Sequence, residues 1–413
     1  MASMSKKQRA KKDNPTLLII AALAVGILAL LQNKFGLLTD IKTFYGYHFN
    51  DGQNLWPYSQ KVLLGETRVQ HPVEYPALTG LIMWLISFLV SPSVTAVVEY
   101  YRITASLQII IFTSCAYLIY RLVGKRYGFY FIFAPAVLYS LNRNWDIWAV
   151  FAMLCAILLF EKKRYSLSAL LLAVSIATKF FPIVLLLPIT IIFIRNKQPV
   201  EFIKYGLTTF ITWTLINLPF VLINFEGWLY FYKFSAERPL GSASVYEITN
   251  ILIDSVKFTS VHFYILNSIV FLIVTIFLIK LKKVPNLPES AFFVMFAFIL
   301  FNKQYSMQYV IWLTSLAVIS FAYITRKGQG SLIYVYVLWQ AFEIAFQYAY
   351  FQRILTDAFV NTDKAMTIAV SKDLYAAIGL IRYLVATLFT LLLAWSLYKV
   401  NSSRFDESHI SRV

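Results

Sequence analysis

The chain has 413 residues, of which 59% are hydrophobic, 17% aromatic and only 14% charged. Soluble domains carry about 25% charged residues, and most of these side chains lie at the surface. A soluble fold could not cover itself with so few charges, so the composition excludes a soluble enzyme. Apolar runs recur from Thr16 to Val400 and predict an all-α polytopic integral membrane protein.

The formal net charge is +17, from 37 Lys and Arg residues against 20 Asp and Glu residues. In a soluble protein such an excess would suggest nucleic acid as a partner. Here the basic residues gather in short clusters between apolar runs, which is typical of the cytoplasmic side of membrane proteins and of contact with anionic headgroups. We therefore expect membrane lipids, and no nucleic acid, among the partners.

Residues 1–15 form a basic tail, and the first apolar run follows it. No small-residue cleavage site follows that run, so we interpret it as a retained helix with a cytoplasmic N-terminus. Residues 401–413 form a second tail, also predicted to be cytoplasmic because Lys399, Arg404 and Arg412 follow the last run. The thirteen apolar segments lie near Thr16–Leu31, Ala77–Val90, Ile103–Tyr120, Phe129–Leu141, Ile147–Phe160, Leu167–Ala177, Ile183–Ile194, Leu207–Ile223, Phe263–Leu281, Ala291–Phe301, Tyr309–Ile324, Leu332–Tyr350 and Leu374–Tyr398.

Two cytoplasmic termini require an even number of spans. We therefore predict about twelve transmembrane helices in a single membrane domain, residues 16–400, plus one re-entrant or interfacial segment. The candidates for that segment are Ala77–Val90, which is the weaker span, and Phe129–Leu141, which Pro135 interrupts. Basic clusters mark the cytoplasmic side at Arg121–Arg126, Lys162–Arg164, Arg195–Lys197, Lys280–Lys283 and Arg326–Lys327.

This topology places the longer polar loops on the outer face. They are a first outer loop at residues 32–76 and a long outer loop at residues 226–262, with shorter loops at Asn142–Asp146, Asn302–Tyr305 and Phe351–Asp373. The cytoplasmic loops are short and leave no room for a catalytic domain. Any chemistry is therefore expected on the outer side or within the membrane.

The outer loops are rich in ionisable groups. One or two carboxylates among several cations suit a site that binds phosphate and deprotonates a hydroxyl; solvated loop charges are the alternative interpretation. Asp40 follows the first helix at the membrane interface, where desolvation would raise its basicity, although it could instead cap a helix. The set comprises Asp40, His48, Asp51, Glu66, Arg68, His71, Glu74, Arg143, Asp146, Lys179, Arg238 and Lys303.

Other signals are negative or open. The sequence contains neither a Gly-x-x-x-x-Gly-Lys-Ser/Thr loop nor a His-Glu-x-x-His pair, and its histidines are scattered. Cys115 and Cys155 lie within apolar runs and are interpreted as packing residues. Glu343 lies in the middle of an apolar run, where a carboxylate is either functional or paired with a cation inside the bundle.

Five blocks of residues, taken in chain order, form a recognisable pattern. They are Thr39-Asp40-Ile41 with Tyr45, Gly52, Trp56-Pro57-Tyr58 and Val73–Gly80; Asn144-Trp145-Asp146-Ile147; Ala177–Pro182; Asn217–Phe220 with Gly227-Trp228, Arg238 and Gly241-Ser242; and Asn302–Tyr309. Together they resemble the bacterial family 87 glycosyltransferases, GT-C-fold membrane enzymes that include the polyprenol-phosphate-mannose-dependent mannosyltransferases of phosphatidylinositol-mannoside synthesis. The sequence departs from that pattern at Met307, where the family has proline.

The resemblance implies a GT-C bundle and an inverting transfer of a sugar, mannose, from a polyprenyl-phosphate-sugar donor. The acceptor would be a lipid-linked or envelope glycan on the extracytoplasmic side of the bacterial cell membrane, and the polyprenyl tail would lie in a lipid-facing groove of Phe, Leu and Ile. No cofactor is expected, with a divalent metal as the alternative. Another lipid-phosphate sugar such as arabinose or glucose stays open, as does a transporter or flippase of a lipid-linked saccharide, although we find no paired repeats.

By the same carry-over, Asp40 is the general base. The residues implied for the donor phosphate are Lys179, Arg238, Lys303, Arg143 and His71. Those implied for substrate binding are Glu74, Tyr75, Asp146, Gln304, Gln308 and Tyr309.

Overall fold

The computed structural model describes residues 14–32, 59–61, 68–70, 73–91, 93, 95–241, 243–253, 255–325, 332–359 and 370–410. These residues are helical apart from loops and one short antiparallel hairpin, in which Gln60 pairs with Val69. The all-α prediction is confirmed. In chain order the elements are α1 (Thr16–Gln32), β1 (Ser59–Lys61), β2 (Arg68–Gln70), α2 (Ala77–Ser87), α3 (Ala96–Val123), α4 (Lys125–Ile132), α5 (Pro135–Ser140), α6 (Asp146–Glu161), α7 (Tyr165–Thr178), a 3₁₀ helix (Phe181–Leu185), α8 (Leu186–Arg195), α9 (Pro199–Ile223), α10 (Phe225–Glu237), α11 (Val245–Leu252), α12 (Ser260–Lys280), α13 (Leu287–Leu300), α14 (Tyr309–Thr325), α15 (Leu332–Phe359) and α16 (Lys372–Ile410).

The surface of the bundle is that of an integral membrane protein. In the described part of the chain, four helical stretches are long and apolar enough to cross a bilayer: Val98–Val123, Pro199–Ile223, Ser260–Lys280 and Lys372–Ser402. Helices α9 and α12 turn rows of large apolar side chains outward. Soluble monomers rarely expose apolar faces of this size, whereas the hydrocarbon of a bilayer would cover them. Leu207, Phe210, Ile211, Leu215, Leu222, Ile265, Ile269, Leu272, Ile273 and Ile276 are all exposed.

The centre of the molecule is formed by α13 and α14. In α14, 15 of the 17 residues are buried, and the helix contacts α3, α4, α5, α6, α13 and α16. Small hydroxyl residues in these helices are satisfied by the backbone, as where Ser320 Oγ donates to the carbonyl of Pro288 at 2.6 Å. A helix that is apolar all round must lie inside, so α14 is the central helix of the bundle.

The segments singled out as re-entrant candidates are both too short to span. Spanning a bilayer needs about 20 helical residues. Ala77–Val90 forms only the 11 residues of α2, and Phe129–Leu141 breaks at Pro135 into α4 and α5, which have 8 and 6 residues. The count of twelve spans and the cytoplasmic placement of both termini stay predictions.

The long outer loop at residues 226–262 is largely helical in the structure. Asn224 begins α10 by accepting a hydrogen bond from the amide of Gly227 at 3.1 Å, and Ser244 begins α11 by accepting one from Glu247 at 3.2 Å. Both are side-chain caps that satisfy otherwise unpaired backbone donors. The capping residues were present in the sequence, but the charged and aromatic residues of the segment led us to predict a loop.

At one end of the bundle the predicted basic clusters meet. The Arg195 guanidinium donates to the carbonyl of Leu281 at 2.6 Å, and to those of Leu278 at 3.2 Å and Lys282 at 3.3 Å. It therefore caps the C-terminus of α12, where carbonyls have no partners within the helix. Two clusters that were predicted to share a side of the membrane are thus in direct contact.

Replacing this cap should weaken the fold measurably. We expect Arg195→Met to lower the free energy of unfolding by about 2 kcal/mol, because it removes charge-assisted hydrogen bonds to three carbonyls. Lys197→Met removes the same charge from an exposed side chain nearby and should change little. The measurement is thermal or denaturant unfolding in detergent micelles. Equal losses in the two variants would contradict the role of the cap.

Candidate functional site

Residues from distant parts of the sequence meet at the end of the bundle opposite Arg195. Helices α6 and α14 run side by side in the same direction, since Trp312 bonds to Asp146 near their first residues and Tyr323 Oη lies 3.4 Å from Glu161 Oε2 near their last. The loop before α6, the end of α7 and the start of α14 therefore share one end. That end collects most of the residues which the sequence singled out.

Its central contact is an ion pair between Asp146 and Lys179. Lys179 Nζ lies 2.7 Å from Asp146 Oδ1, with the carboxylate side chain fully buried and the lysine side chain 12% exposed. Trp312 Nε1 donates to the other carboxylate oxygen at 3.0 Å. Asp146 is the first residue of α6, where the helix dipole also favours a negative charge. Each carboxylate oxygen thus accepts a hydrogen bond, and Asp146 anchors Lys179 in place.

The local sequence explains how Lys179 reaches this position. Helix α7 ends at Thr178, and Lys179 is extended, with φ −147° and ψ 132°. Pro182 then opens the 3₁₀ helix and prevents α7 from continuing. Thr79 Oγ1 donates to the carbonyl of Thr178 at 2.6 Å, so α2 fixes the end of α7. The extended residue between two helices is what turns the lysine toward α6.

Tyr75 braces the pair from the returning end of the first outer loop. Its hydroxyl donates to Asn144 Oδ1 at 2.8 Å, and Lys179 Nζ lies 4.5 Å from the centroid of its ring. Gln108 Nε2 of α3 donates to the carbonyl of Asn144 at 2.9 Å. A cation over a tyrosine ring is stabilised by the ring's negative face. Tyr75 and Asp146 thus bind Lys179 from two sides, while Glu74 is partly buried and interacts electrostatically with Tyr230 of α10.

A second group of predicted residues lies on loop 301–308, between α13 and α14. Lys303 Nζ donates to the carbonyl of Ala236 at 2.6 Å and lies 5.4 Å from the ring centroids of Phe263 and Tyr264. The Gly241 amide donates to the carbonyl of Lys303 at 2.8 Å, and Gln304 packs so closely over Gly241 that a Cβ there would collide with it. The loop is therefore seated against the segment that carries Arg238.

Tyr309 connects the two groups. It is the first residue of α14, its ring packs edge-on against Phe181 at 4.7 Å, and its hydroxyl interacts electrostatically with both Asp146 and Arg238. Gln308, just before it, is partly buried, and its carbonyl accepts from the Ile311 amide at 3.1 Å. Arg238 itself is exposed at the end of α10, with its guanidinium 5.3 Å from the Phe234 ring.

Two of the predicted phosphate ligands differ from the rest. Arg143 packs between the rings of Tyr139 and Phe351, at 4.3 and 4.2 Å, and donates to the carbonyl of Tyr139 at 2.7 Å. Arg143 is thus held by α5, which ends just before it in the chain, and by α15. Asp40 and His71 lie outside the described residues, so their predicted roles remain predictions.

An apolar cavity of about 280 Å³ reaches Phe180, the residue after Lys179. It is formed by α7, the 3₁₀ helix, α8 and α9. Burial raises the pKa of the neighbouring Tyr232 hydroxyl to about 12, so this aromatic group, which packs edge-on against Phe180 at 5.9 Å, stays neutral. The walls are Ile176, Phe180, Ile183, Leu186, Gly206, Thr209, Phe210 and Trp213.

Sequence reasoning missed several residues of this end. Trp312 completes the Asp146 carboxylate from 166 positions away, and Arg382 binds Glu343, the carboxylate whose partner the sequence left open. Both lie inside apolar runs. A buried arginine in such a run was a signal for an internal partner. Within the described ranges no group of three or more His, Cys, Asp or Glu residues is placed to hold a metal ion.

Comparison with known proteins does not assign the chain to a family. No family model and no curated protein matches it. Among solved structures it is similar to ArnT from Cupriavidus metallidurans bound to undecaprenyl phosphate, with 14% identity, a TM-score of 0.49, and 94% of this chain and 78% of that chain covered. It is also similar to the Archaeoglobus fulgidus oligosaccharyltransferase in the apo form, with 11% identity, a TM-score of 0.38, and coverages of 94% and 56%. TM-scores below 0.5 do not establish a common fold.

The Asp146–Lys179 pair predicts a compensating double variant. Lys179→Met leaves a buried carboxylate without its cation and should lower the free energy of unfolding by about 3–5 kcal/mol. Adding Asp146→Asn removes that charge and should restore most of the loss. Unfolding of the two single variants and the double variant measures the coupling. Additive losses would show that the two side chains do not interact.

Proposed function

We propose that this protein is an inverting glycosyltransferase that moves a sugar, mannose, from a polyprenyl-phosphate donor to a lipid-linked or envelope glycan acceptor. The observation that carries the proposal is that the apolar cavity reaches Phe180, the residue after Lys179, at the end of the bundle that also holds Arg238 and Lys303. A polyprenyl-phosphate sugar has the matching shape, since an aliphatic chain is joined to a phosphate and then to a polar head. The sequence blocks that suggested this activity supply Tyr75, Asp146, Lys179 and Lys303 among the described residues at that end.

The electrostatics suit a leaving phosphate. Asp146 neutralises Lys179, so the net attraction for an anion comes from Arg238 and Lys303, while Lys179 keeps N–H donors beyond the one that it gives to Asp146. As the bond between the sugar and the phosphate breaks, negative charge builds on the phosphate oxygens. Preorganised donors aimed at that charge lower the barrier, because they need not reorient during the reaction.

The reaction itself is a single displacement. The acceptor hydroxyl oxygen attacks the anomeric carbon opposite the phosphate, the new C–O bond forms as the bond to the phosphate oxygen breaks, and the hydroxyl proton passes to a carboxylate. We assign the carboxylate to Asp40 on sequence grounds. Among the described carboxylates, Asp146 accepts a hydrogen bond at each oxygen and Glu343 is buried with Arg382 inside the bundle, so we prefer neither as this base. Tyr75, Glu74, Gln304, Gln308 and Tyr309 are proposed to bind the sugars.

Cavity size constrains what binds. A volume of about 280 Å³ is at the lower limit of small-molecule sites, which span about 300–1,000 Å³. It accommodates a segment of an aliphatic chain and not a whole lipid. A flippase must carry the polar head across the membrane, and the bundle centre formed by α13 and α14 is filled with side chains. The transferase therefore has more support than the transporter.

The decisive assay supplies polyprenyl-phosphate-mannose, labelled in the sugar, to the protein in nanodiscs with extracted envelope lipids as acceptors. A labelled glycolipid is the expected product, and accumulation of label in proteoliposomes without a new glycosidic bond would favour transport.

We expect Asp40→Asn to reduce the transfer rate by about 100-fold or more, as the loss of a general base does. Asp51→Asn, which removes another carboxylate from the same loop, should retain activity. Near-normal turnover of the Asp40 variant would overturn the base assignment.

Filling the cavity should discriminate between donors. Gly206 lines the cavity and a Cβ there meets no atom within 4 Å, so Gly206→Phe adds a ring at this wall without a clash at the Cβ. We expect the KM for a long-chain donor to rise about tenfold, which needs only about 1.4 kcal/mol of lost apolar contact, with a smaller change for a short-chain analogue. The control is Leu207→Phe, because Leu207 is 54% exposed on the same helix. Equal effects on both donors would show that the cavity does not hold the chain.

A further inference from the structure

Deep in the bundle, Glu343 of α15 and Arg382 of α16 form an ion pair that reaches no solvent. Both side chains are 0% exposed, and Arg382 Nε lies 3.7 Å from Glu343 Oε2. That distance is too long for a hydrogen bond, and within the described residues neither atom makes one. The strong contacts of the pair go instead to a third residue, Tyr305 of loop 301–308.

Tyr305 is held by the pair at several points. Its hydroxyl donates to Glu343 Oε1 at 2.6 Å, and Trp339 Nε1 donates to the same oxygen at 3.0 Å. Arg382 Nη2 donates to the Tyr305 carbonyl at 3.3 Å, while the guanidinium lies 3.6 Å from the Tyr305 ring centroid. Burial, with the charge of Glu343, raises the pKa of the Tyr305 hydroxyl well above its usual value, so the hydroxyl stays a donor.

An ion pair of this kind contributes little net stability. Desolvating two charges costs several kcal/mol, and well-packed apolar residues of the same volume often serve as well or better. Its attested use is to specify one arrangement over others. Here the arrangement that it specifies is that of Tyr305, because both the backbone carbonyl and the side chain of this residue are bonded to the pair.

The position of Tyr305 fixes the residues around it. Lys303 and Gln304 precede it by two and one positions, and Tyr309 begins α14 four positions after it. The same helix α16 also holds the facing segment, since Tyr383 Oη donates to the carbonyl of Ala243 at 3.1 Å. Tyr375 Oη donates to Glu247 Oε2 at 2.9 Å, and that oxygen accepts from the Ala243 amide at 2.7 Å. Both sides of the contact between Lys303 and Gly241 are thus tied to α16.

We infer that Glu343 and Arg382 are positioning residues that hold loop 301–308 in register with the site. The inference rests on the proposed function for its meaning, because the loop carries Lys303, Gln304 and Gln308. Within the described residues the hydrogen bonds of the pair go to Tyr305 and Trp339. The pair acts through Tyr305, and the loop's order depends on the pair's hydrogen bonds.

The test compares three single variants. Tyr305→Phe keeps the ion pair and removes one hydrogen bond, and Glu343→Gln keeps the shape but removes the charge. The matched control is Thr314→Val, which breaks the buried hydrogen bond from Gln340 Nε2 to Thr314 Oγ1, 3.0 Å long and one turn along α15 from Glu343. That bond has no contact with loop 301–308. If Glu343→Gln fails to fold, Tyr305→Phe still decides.

Two readouts are needed, one of them independent of activity. Hydrogen exchange of the amides at residues 302–308 should quicken about tenfold in Tyr305→Phe, the factor that corresponds to one net hydrogen bond, while α13 is unchanged and Thr314→Val resembles wild type. Transfer kcat/KM should fall about tenfold in Tyr305→Phe and Glu343→Gln, with a non-additive double variant. Unaltered loop exchange in Tyr305→Phe, or equal effects in Thr314→Val, would overturn the inference. Should wild type form no glycosidic product, the proposed function fails, and exchange alone decides the positioning role.

Discussion

The structure depends on placing an opposite pair of charges, Asp146 and Lys179, out of water at the end of a helical bundle. Neither charge could be buried alone, because desolvation would cost several kcal/mol. The pair therefore dictates that the start of α6 and the end of α7 come together, and the Trp312 hydrogen bond adds the start of α14 to the same point. Tyr75 brings in the return of the first outer loop. Four chain segments are aligned by one contact.

A second buried ion pair, Glu343 and Arg382, also joins distant segments. Asp146 and Lys179 join α6 to the end of α7, whereas Glu343 and Arg382 join α15 and α16 to Tyr305. Helix α14 lies between the two, almost wholly buried. The hydroxyl of Tyr309, the first residue of that helix, interacts electrostatically with Asp146 and with Arg238. The two halves of the site are joined through this helix start.

The sequence predicted the class of fold and much of the site, but not how the site residues pair. Apolar runs identified the helices, and Pro135 predicted the break between α4 and α5. Asp146, Lys179, Lys303 and Tyr309 were all singled out. The partners of Asp146 and Glu343 were not identified from the sequence. Trp312 and Arg382 each lie in an apolar run, and their contacts join positions 166 and 39 residues apart. Such pairs are determined by packing, which no local pattern encodes.

The apolar cavity at Phe180 has one further consequence. Helix α9 forms one of its walls and presents an apolar outer face to the hydrocarbon. If the cavity holds the aliphatic chain of the proposed donor, that chain would enter it from within the bilayer, after partitioning there. Occupancy then depends on the mole fraction of ligand among the surrounding lipids, and not on its aqueous concentration. Diluting the membrane with inert lipid or detergent would lower occupancy at a constant total amount of ligand, so apparent affinities are comparable only at a fixed ratio of lipid to protein.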